Sequence, residues 1–234
     1  VKIDDSKQKI RLWGDKVDYF RLSKQMEATG HPHLVINPED DSARMDIKCL
    51  KMQYFDQENK GIAYDSVVIT RSDLVARAGQ AIFYRDPESA VLYKNPSLTQ
   101  GENKLTGDTI SVFTKDKKID RLLVRGDSKA VYKTQPDTLV EAYTTAELTG
   151  KELEAFFVNE KVDKVVTRKN AVSVYTPAIT DTIATGTNTA SGDSITLYFD
   201  KSAIKRVFIS GGAEGQYAET KVDTLGKAHA DTTH

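Results

Sequence analysis

Apolar and polar residues alternate along most of this chain with a period of two. Ile110 and Val112 alternate with polar neighbours in LTGDTISVF at 105–113, and Ile195 and Leu197 do so in ASGDSITLYF at 190–199. Period two is typical of β-strands with one buried face, and no segment of twelve or more residues has helical spacing. Short polar segments such as DQEN and RDPE separate the strands and suit hairpin turns. The pattern predicts about twelve or more antiparallel strands and little or no helix.

The strands are arranged in about six repeated hairpin units, each a first strand, a short turn and a second strand. The last three units align without a gap in their second strands, and each ends in a tyrosine: Tyr132, Tyr175 or Tyr217. The units are anchored at Gly14, Ile47, Ala78, Gly107, Gly150 and Gly192. Glycine within a strand marks a bulge or a sharp bend, so each first strand is predicted to bend near its anchor. The polar stretches 133–147 and 176–190 lengthen the later units and are predicted to be long loops.

The repetition predicts one elongated apolar interior. A single hairpin cannot bury its apolar face, but hairpins in series form one sheet whose inner faces share a core. The side chains predicted to face this interior come from both strands of the units. They are Val17, Tyr19, Leu50, Met52, Ala81, Phe83, Ile110, Val112, Leu122, Val124, Leu153, Ala155, Val165, Ile195, Leu197, Val207 and Ile209.

Composition narrows the function. The 234 residues carry 33 basic and 34 acidic side chains, a net charge of -1, which argues against a nucleic-acid-binding module. The one cysteine, Cys49, excludes an intrachain disulfide, and its strand-like surroundings favour a packed thiol over a nucleophile. No apolar run reaches 18 residues, so the sequence predicts no transmembrane segment. The chain begins with Val, which suggests that a signal peptide has been removed.

Several of these features together resemble a known family. They are the Gly-Asp opening at Gly107-Asp108, Gly192-Asp193 and Gly14-Asp15, the doublet Ile110/Val112, the basic turn and the Val124-x-Gly126 second strand. This repeat resembles that of the OstA-like family, which includes lipopolysaccharide-transport proteins of the LptA type, LptC-type proteins and the N-terminal domain of LptD-type proteins. The resemblance covers about residues 10–217.

The resemblance implies an all-β antiparallel jellyroll with an open apolar trough. It implies a single domain over 1–217 and a polar tail over 218–234, extended or disordered. The implied function is that of a periplasmic transport protein, not an enzyme, that shields lipopolysaccharide acyl chains in the trough and bridges the inner and outer membranes. The implied partners are lipopolysaccharide and related jellyroll proteins, joined end to end through edge strands. No cofactor or metal is implied.

Three groups of polar residues have alternative interpretations. His31 and His33 could share a metal, but no third ligand is near in sequence, so the start of a strand is the favoured interpretation. Asp15, Asp108 and Asp193 could act on a polysaccharide, yet their repeated position favours a structural requirement. Three basic residues occupy equivalent positions in the aligned second strands: Arg121, Lys164 and Arg206. They could bind phosphates or acidic sugars, or they could belong to an ordinary solvated face of the sheet.

Two further functions remain open beside lipid transport. The same fold could be a structural or assembly module whose edges pair with other chains and whose interior is filled by its own side chains. A polysaccharide-active enzyme would need a solvent-facing cleft with clustered carboxylates, and no such cluster is evident in the sequence.

Overall fold

The chain folds into antiparallel strands, as the period-two pattern predicts. The computed structural model describes residues 1–7, 9–40, 44–85, 88–116, 118–134, 144–177, 185–200, 203–222 and 228–229. Within these residues the one helical segment is a single 3₁₀ turn at Asp56–Glu58. The prediction of an all-β chain with little or no helix is therefore confirmed.

The strands of the first three units are short, except where two strands run through both halves of the fold. They are β1 (Lys2–Asp5), β2 (Ile10–Trp13), β3 (Lys16–Phe20), β4 (Gln25–Thr29), β5 (His33–Ile36), β6 (Met45–Lys48), β7 (Lys51–Phe55), β8 (Lys60–Arg71), β9 (Leu74–Tyr84), β10 (Ser89–Tyr93) and β11 (Ser97–Gln100). The later strands are mostly longer. They are β12 (Asn103–Thr106), β13 (Thr109–Lys115), β14 (Lys118–Thr134), β15 (Thr144–Val158), β16 (Lys161–Thr176), β17 (Thr185–Asp200), β18 (Ala203–Ser210), β19 (Glu214–Val222) and β20 (Ala228–His229).

Each unit bends at a crease in the middle of its strands. The second strand of every unit has two consecutive residues in the left-handed region of φ. These pairs are Gly30-His31, Asp65-Ser66, Lys94-Asn95, Gly126-Asp127, Lys169-Asn170 and Gly211-Gly212. The first strand docks on this corner through its backbone, as where the Asp108 N–H donates to the carbonyls of Arg125 and Gly126, both at 3.0 Å. Two adjacent left-handed residues form a bulge that redirects the strand, so the chain turns the same corner six times.

The crease divides the sheet into two halves. Sheet I contains 16–20, 25–29, 51–55, 60–64, 80–84, 89–93, 109–115, 118–125, 152–158, 161–168, 194–200 and 203–210. Sheet II contains 2–5, 10–13, 33–36, 45–48, 67–71, 74–78, 97–100, 103–106, 128–134, 144–149, 171–176, 185–191 and 214–222. Buried residues of both halves belong to one packed core, so the inner faces of the two sheets lie against each other.

The predicted anchors lie at the crease, with one error. The cross-strand register places Gly14, Cys49, Ala78, Gly107, Gly150 and Gly192 in equivalent positions. The anchor at Ile47 was therefore wrong by two residues, because strand periodicity alone cannot distinguish positions two apart. The glycines act here by lacking a side chain: a Cβ on Gly107 would overlap Val124, and one on Gly150 would overlap Thr167.

The predicted long loops are partly wrong. Residues 144–147 begin β15 and residues 185–190 begin β17, while 135–143 and 178–184 lie outside the described residues. These polar segments are rich in threonine, which favours loops by its polarity but is also a good strand former where one face of a sheet meets solvent. In the predicted tail, 218–222 complete β19 and 228–229 form β20, and the rest of 218–234 lies outside the described residues.

Candidate lipid-binding trough

The innermost layer of sheet I is one unbroken row of side chains, here called row one. It crosses twelve strand segments in register, as Val17, Ala28, Met52, Ala63, Ala81, Leu92, Ile110, Val124, Leu153, Thr167, Ile195 and Ile209. From Ala28 to Ile195 no member is more than 7% exposed. The polar member, Thr167, donates its hydroxyl hydrogen bond to the Glu152 carbonyl at 3.1 Å. Row one therefore seals the interior next to the crease.

A second row lies two residues further from the crease and is called row two. It contains Tyr19, Met26, Tyr54, Gly61, Phe83, Ala90, Val112, Leu122, Ala155, Val165, Leu197 and Val207. Members from Met26 to Val112 are partly exposed, whereas those from Leu122 to Leu197 are at most 9% exposed. The later part of row two is buried because register shifts in the last three units add partly buried apolar side chains nearer the mouth. These are Ile119, Phe157, Val162, Phe199 and Ile204.

The structure brings together all but one of the side chains predicted to face the interior. Sixteen of the seventeen lie in rows one and two, and the exception is Leu50, which lies on the crease and is 45% exposed. The placement of Leu50 was wrong because the left-handed corner interrupts the strand alternation on which it rested. Tyr19 and Val207 end row two and are 63% and 49% exposed, since each lies on a strand of sheet I that has one neighbour among the described strands.

Sequence reasoning missed the opposite wall of the interior. Row three, on sheet II, contains Ile3, Leu12, Leu34, Ile47, Ile69, Ala76, Leu98, Leu105, Ala130, Leu148, Ser173, Ala190 and Gly215. The alternation of Leu74, Ala76 and Ala78 was a usable signal. Periodicity predicts one inward-facing run for each strand, whereas the crease gives each long strand two.

The tyrosines that end the last three units line the mouth on sheet II. Tyr132 pairs with Ala146, which pairs with Tyr175, so the tyrosines share a face two residues outside row three. The Tyr132 ring contacts Phe199 of sheet I edge to face, with centroids 6.0 Å apart. Burial raises the pKa of the Tyr132 hydroxyl. This contact connects the two sheets across the mouth.

Cys49 and His33 are accounted for by packing. Cys49 is 5% exposed, its Sγ lies 3.2 Å from the Lys51 carbonyl, and burial raises the pKa of its thiol to about 11. His33 begins β5, as expected for the start of a strand; its Nε2 lies 2.7 Å from Asp46, and its ring stacks near Trp13. Within the described residues, no three His, Cys, Asp or Glu side chains are grouped closely enough to hold a metal.

Two clefts open on the surface of the described residues, and Met26 of row two is among the residues that line one of them. One of about 330 Å³ lies at the crease beside His31, His33 and Cys49, and one of about 220 Å³ lies between Phe20 and Phe55 at one end of sheet I. Neither encloses a cluster of carboxylates. In the part of the chain that the structure describes, no helix is long and apolar enough to cross a membrane.

Comparison with known proteins adds a family to this geometry. Residues 6–118 match the model of the family described as LptA/(LptD N-terminal domain) LPS transport protein. Among solved structures, LptH of Pseudomonas aeruginosa, described as the LptA homologous periplasmic component of the lipopolysaccharide transport device, is 22% identical. That match covers 59% of this chain and 82% of LptH, with a TM-score of 0.42. No curated protein sequence matches. Residues 6–118, just under half of the chain, thus resemble the LptA/LptD N-terminal domain family of LPS transport proteins.

Proposed function

We propose that this chain is a periplasmic lipopolysaccharide-binding transport protein that holds acyl chains between sheets I and II. One observation carries the proposal: rows one and two run in register along the whole of sheet I, opposite the mostly apolar row three. Each CH₂ group that leaves water for such a surface contributes about 0.8 kcal/mol. A continuous apolar row can bind an acyl chain through contacts along the length of that chain, and it needs no base-specific or sugar-specific contact.

The accessible part of this interior is row two from Tyr19 to Val112. Phe83 and Val112 are partly exposed there, whereas row one beneath them is sealed. An acyl chain is therefore expected to lie along row two, between sheet I and the side chains of sheet II. The family match over residues 6–118 covers this same part of the chain and supports the assignment.

Site-specific photocrosslinking tests the proposal. A photoreactive amino acid at Val112 faces the interior, and the same group at the neighbouring Ser111 faces outward, which makes Ser111 a matched control. We expect lipopolysaccharide to crosslink at Val112 and at Phe83 but not at Ser111. Val112→Asp should abolish crosslinking at Phe83. Equal crosslinking at inner and outer positions, or none at any inner position, would refute the trough.

We further propose that copies or relatives of this fold join end to end through sheet I. Its outermost strands, β3 and β18, each pair with one neighbour among the described strands. Each carries exposed apolar side chains, including Phe20 at 50% and Phe208 at 50%. An unpaired edge with apolar side chains is a template for another strand. Val207→Lys with Phe208→Lys should lower any concentration-dependent association seen by light scattering, and unchanged association would exclude β18 as the contact.

The alternative is a structural module whose interior is filled by its own side chains. The near-complete burial of row one favours this alternative for the layer next to the crease. The same photocrosslinking separates the two, because a filled interior gives no lipid adduct at Val112 while edge pairing persists. The aspartates do not support an enzyme: Asp15, Asp108 and Asp193 each lie on a crease glycine in a separate unit.

A further inference from the structure

The outer face of sheet I carries an aromatic and cationic row that neither the packing nor the trough requires. In each of the last three units, an aromatic residue of the first strand pairs directly with a cation of the second strand. The six residues, here called the outer lip row, are Phe113, Arg121, Phe156, Lys164, Tyr198 and Arg206. They lie one residue beyond row two, on the opposite face of the sheet and close to the mouth.

Each cation lies over its aromatic partner. The Arg121 guanidinium carbon is 4.3 Å from the Phe113 ring centroid and the Lys164 Nζ is 4.3 Å from that of Phe156. The Arg206 guanidinium carbon is 5.8 Å from the Tyr198 centroid. Cation–π contacts of this kind hold the guanidinium or ammonium group in place without neutralising its charge. The positive charges are therefore held in position, and those of Lys164 and Arg206 remain available to an anion.

A β-bulge presents the cation in all three units. The register shifts between Phe113 and Thr114, between Phe156 and Phe157, and between Tyr198 and Phe199. Each shift leaves one extra residue on the second strand, Asp120, Asp163 or Lys205. The extra residue lets Ile119 and Leu122 both face the interior while Arg121 between them faces outward. Bulges re-aim side chains at the cost of ladder hydrogen bonds, so the same bulge in three units favours a use for the outward cation.

The charge of the row increases toward β18. Arg121 is paired with Glu154 at 3.0 Å, whereas Lys164 and Arg206 have no carboxylate within 4.0 Å among the described residues. By contrast, the corresponding pair in unit two, Phe55 and Lys60, is neutralised by Glu58. Arg206 and Tyr198 are also exposed, the latter by 40%. The last two units thus carry unneutralised cations with aromatic neighbours at the mouth of the trough.

We propose that the outer lip row binds the phosphorylated saccharide of a lipid whose acyl chains lie in the trough. This inference rests on the proposed function and extends it from acyl chains to the head group. Alternate strands are about 10 Å apart, so the three cations form a line of charges at that spacing. Phosphates pair strongly with such cations, and the rings between them offer apolar faces to sugar carbons. A line of charge one residue wide, with Glu152 and Glu154 beside it, fits a chain-like anion better than a flat anionic bilayer.

The test uses the folded full chain and a soluble probe without acyl chains. The probe is the phosphorylated oligosaccharide released from lipopolysaccharide by complete deacylation, titrated by calorimetry at low and at physiological salt. The lip-row variant is Arg121→Gln with Lys164→Gln and Arg206→Gln. The matched control is Arg77→Gln with Lys104→Gln and Lys129→Gln, three exposed cations on the outer face of sheet II. Circular dichroism and urea unfolding confirm folding, and single Lys164→Gln and Arg206→Gln variants replace the triple variant if it fails to fold.

We expect wild type and control to bind the probe equally and the lip-row variant to bind it at least about tenfold more weakly. Enzymatic removal of the phosphates should abolish binding to all three proteins. Equal binding by the lip-row variant, no wild-type binding at millimolar probe, or equal affinity for inorganic phosphate would overturn the proposal. So would lip-row-dependent binding of anionic phospholipid vesicles without binding of the oligosaccharide, which would indicate a bilayer surface instead. Photocrosslinking at Val112 in the same variants reports on the trough alone, so the two proposals can fail separately.

Discussion

The Asp108 side chain lies directly against the α-carbon of Gly126, on the opposite strand of the same unit. Gly126 has φ of +69°, and a Cβ at this position would overlap the Asp108 carboxylate. The first and last units repeat the relationship, with Asp15 on Gly30 and Asp193 on Gly211. In unit three the roles are reversed, because Gly79 leaves room for Lys94. In four of the six units, two residues therefore meet across the crease, and one of the two is a glycine.

This relationship predicts that Gly126→Ala is costly. The substitution combines left-handed strain with the overlap, so the free energy of unfolding should fall by about 2 kcal/mol or more. The matched control is Gly101→Ala, where φ is +54° and nothing lies within 4 Å of an added Cβ. Strain alone should cost about 1 kcal/mol there. Urea unfolding measures both.

Combining Gly126→Ala with Asp108→Ala separates the two contributions. The double variant should recover part of the lost stability, because the overlap with the carboxylate is removed, while the strain and the close approach of the Asp108 Cβ remain. Equal losses for Gly126→Ala and Gly101→Ala, with no recovery in the double variant, would show that the carboxylate does not crowd the corner.

The sealed layer of the interior predicts a large cost for Leu153→Ala. Leu153 lies in row one and is 1% exposed, so the truncation should leave a cavity and cost about 2 to 5 kcal/mol. Leu50→Ala removes the same atoms from a side chain that is 45% exposed on the crease and should cost less than about 1 kcal/mol. Comparable losses in urea unfolding would mean that Leu50 is a core residue after all, as its place in the alternation first suggested.

The buried thiol predicts a loss of stability at high pH. Burial raises the pKa of Cys49 from its ordinary 9.0 to about 11, so the folded state holds the proton more tightly than the unfolded chain does. The stabilisation is fully present below about pH 9 and is lost between about pH 9 and pH 11, by about 2 to 3 kcal/mol. Cys49→Ala lacks the titrating group and serves as the control. The unfolding free energy of the wild type minus that of Cys49→Ala should decrease between about pH 9 and pH 11. A difference that stays constant over this range would contradict the burial of the thiol.

The interior of sheet I could be predicted from the sequence because its strands keep strict alternation on each side of the corner. Ile110 and Val112 share a face in the sequence and in rows one and two. Residues that occupy equivalent positions in the aligned second strands also share one row: Leu122, Val165 and Val207 lie in row two, on alternate strands. Repetition supplied this information, since several copies show which positions must be apolar together.

The crease and the opposite wall could not be predicted in the same way. A left-handed pair such as Lys169-Asn170 has no obligatory glycine, so its sequence does not reveal the turn. If the corner is not recognised, a long strand such as β16 is predicted to have one inward-facing run. The second inward-facing run, which belongs to row three, is then not predicted. The bulges that orient Arg121 and Lys164 are likewise visible only as an extra residue between two strands.

The contact between Tyr132 and Phe199 predicts measurable coupling across the mouth. In a double-mutant cycle with Tyr132→Leu and Phe199→Leu, the edge-to-face ring pair should contribute about 0.5 to 1.5 kcal/mol of coupling. The control is a second double-mutant cycle, with Tyr175→Leu and Phe199→Leu. Tyr175 lies on the same face of sheet II and is 38% exposed, and within the described residues its ring does not contact that of Phe199. Its coupling should be close to zero. Coupling that is equal in both cycles would show that the rings act through general packing and not through contact. If an acyl chain enters between the sheets at this point, saturating lipid should reduce the Tyr132–Phe199 coupling and leave the control cycle unchanged.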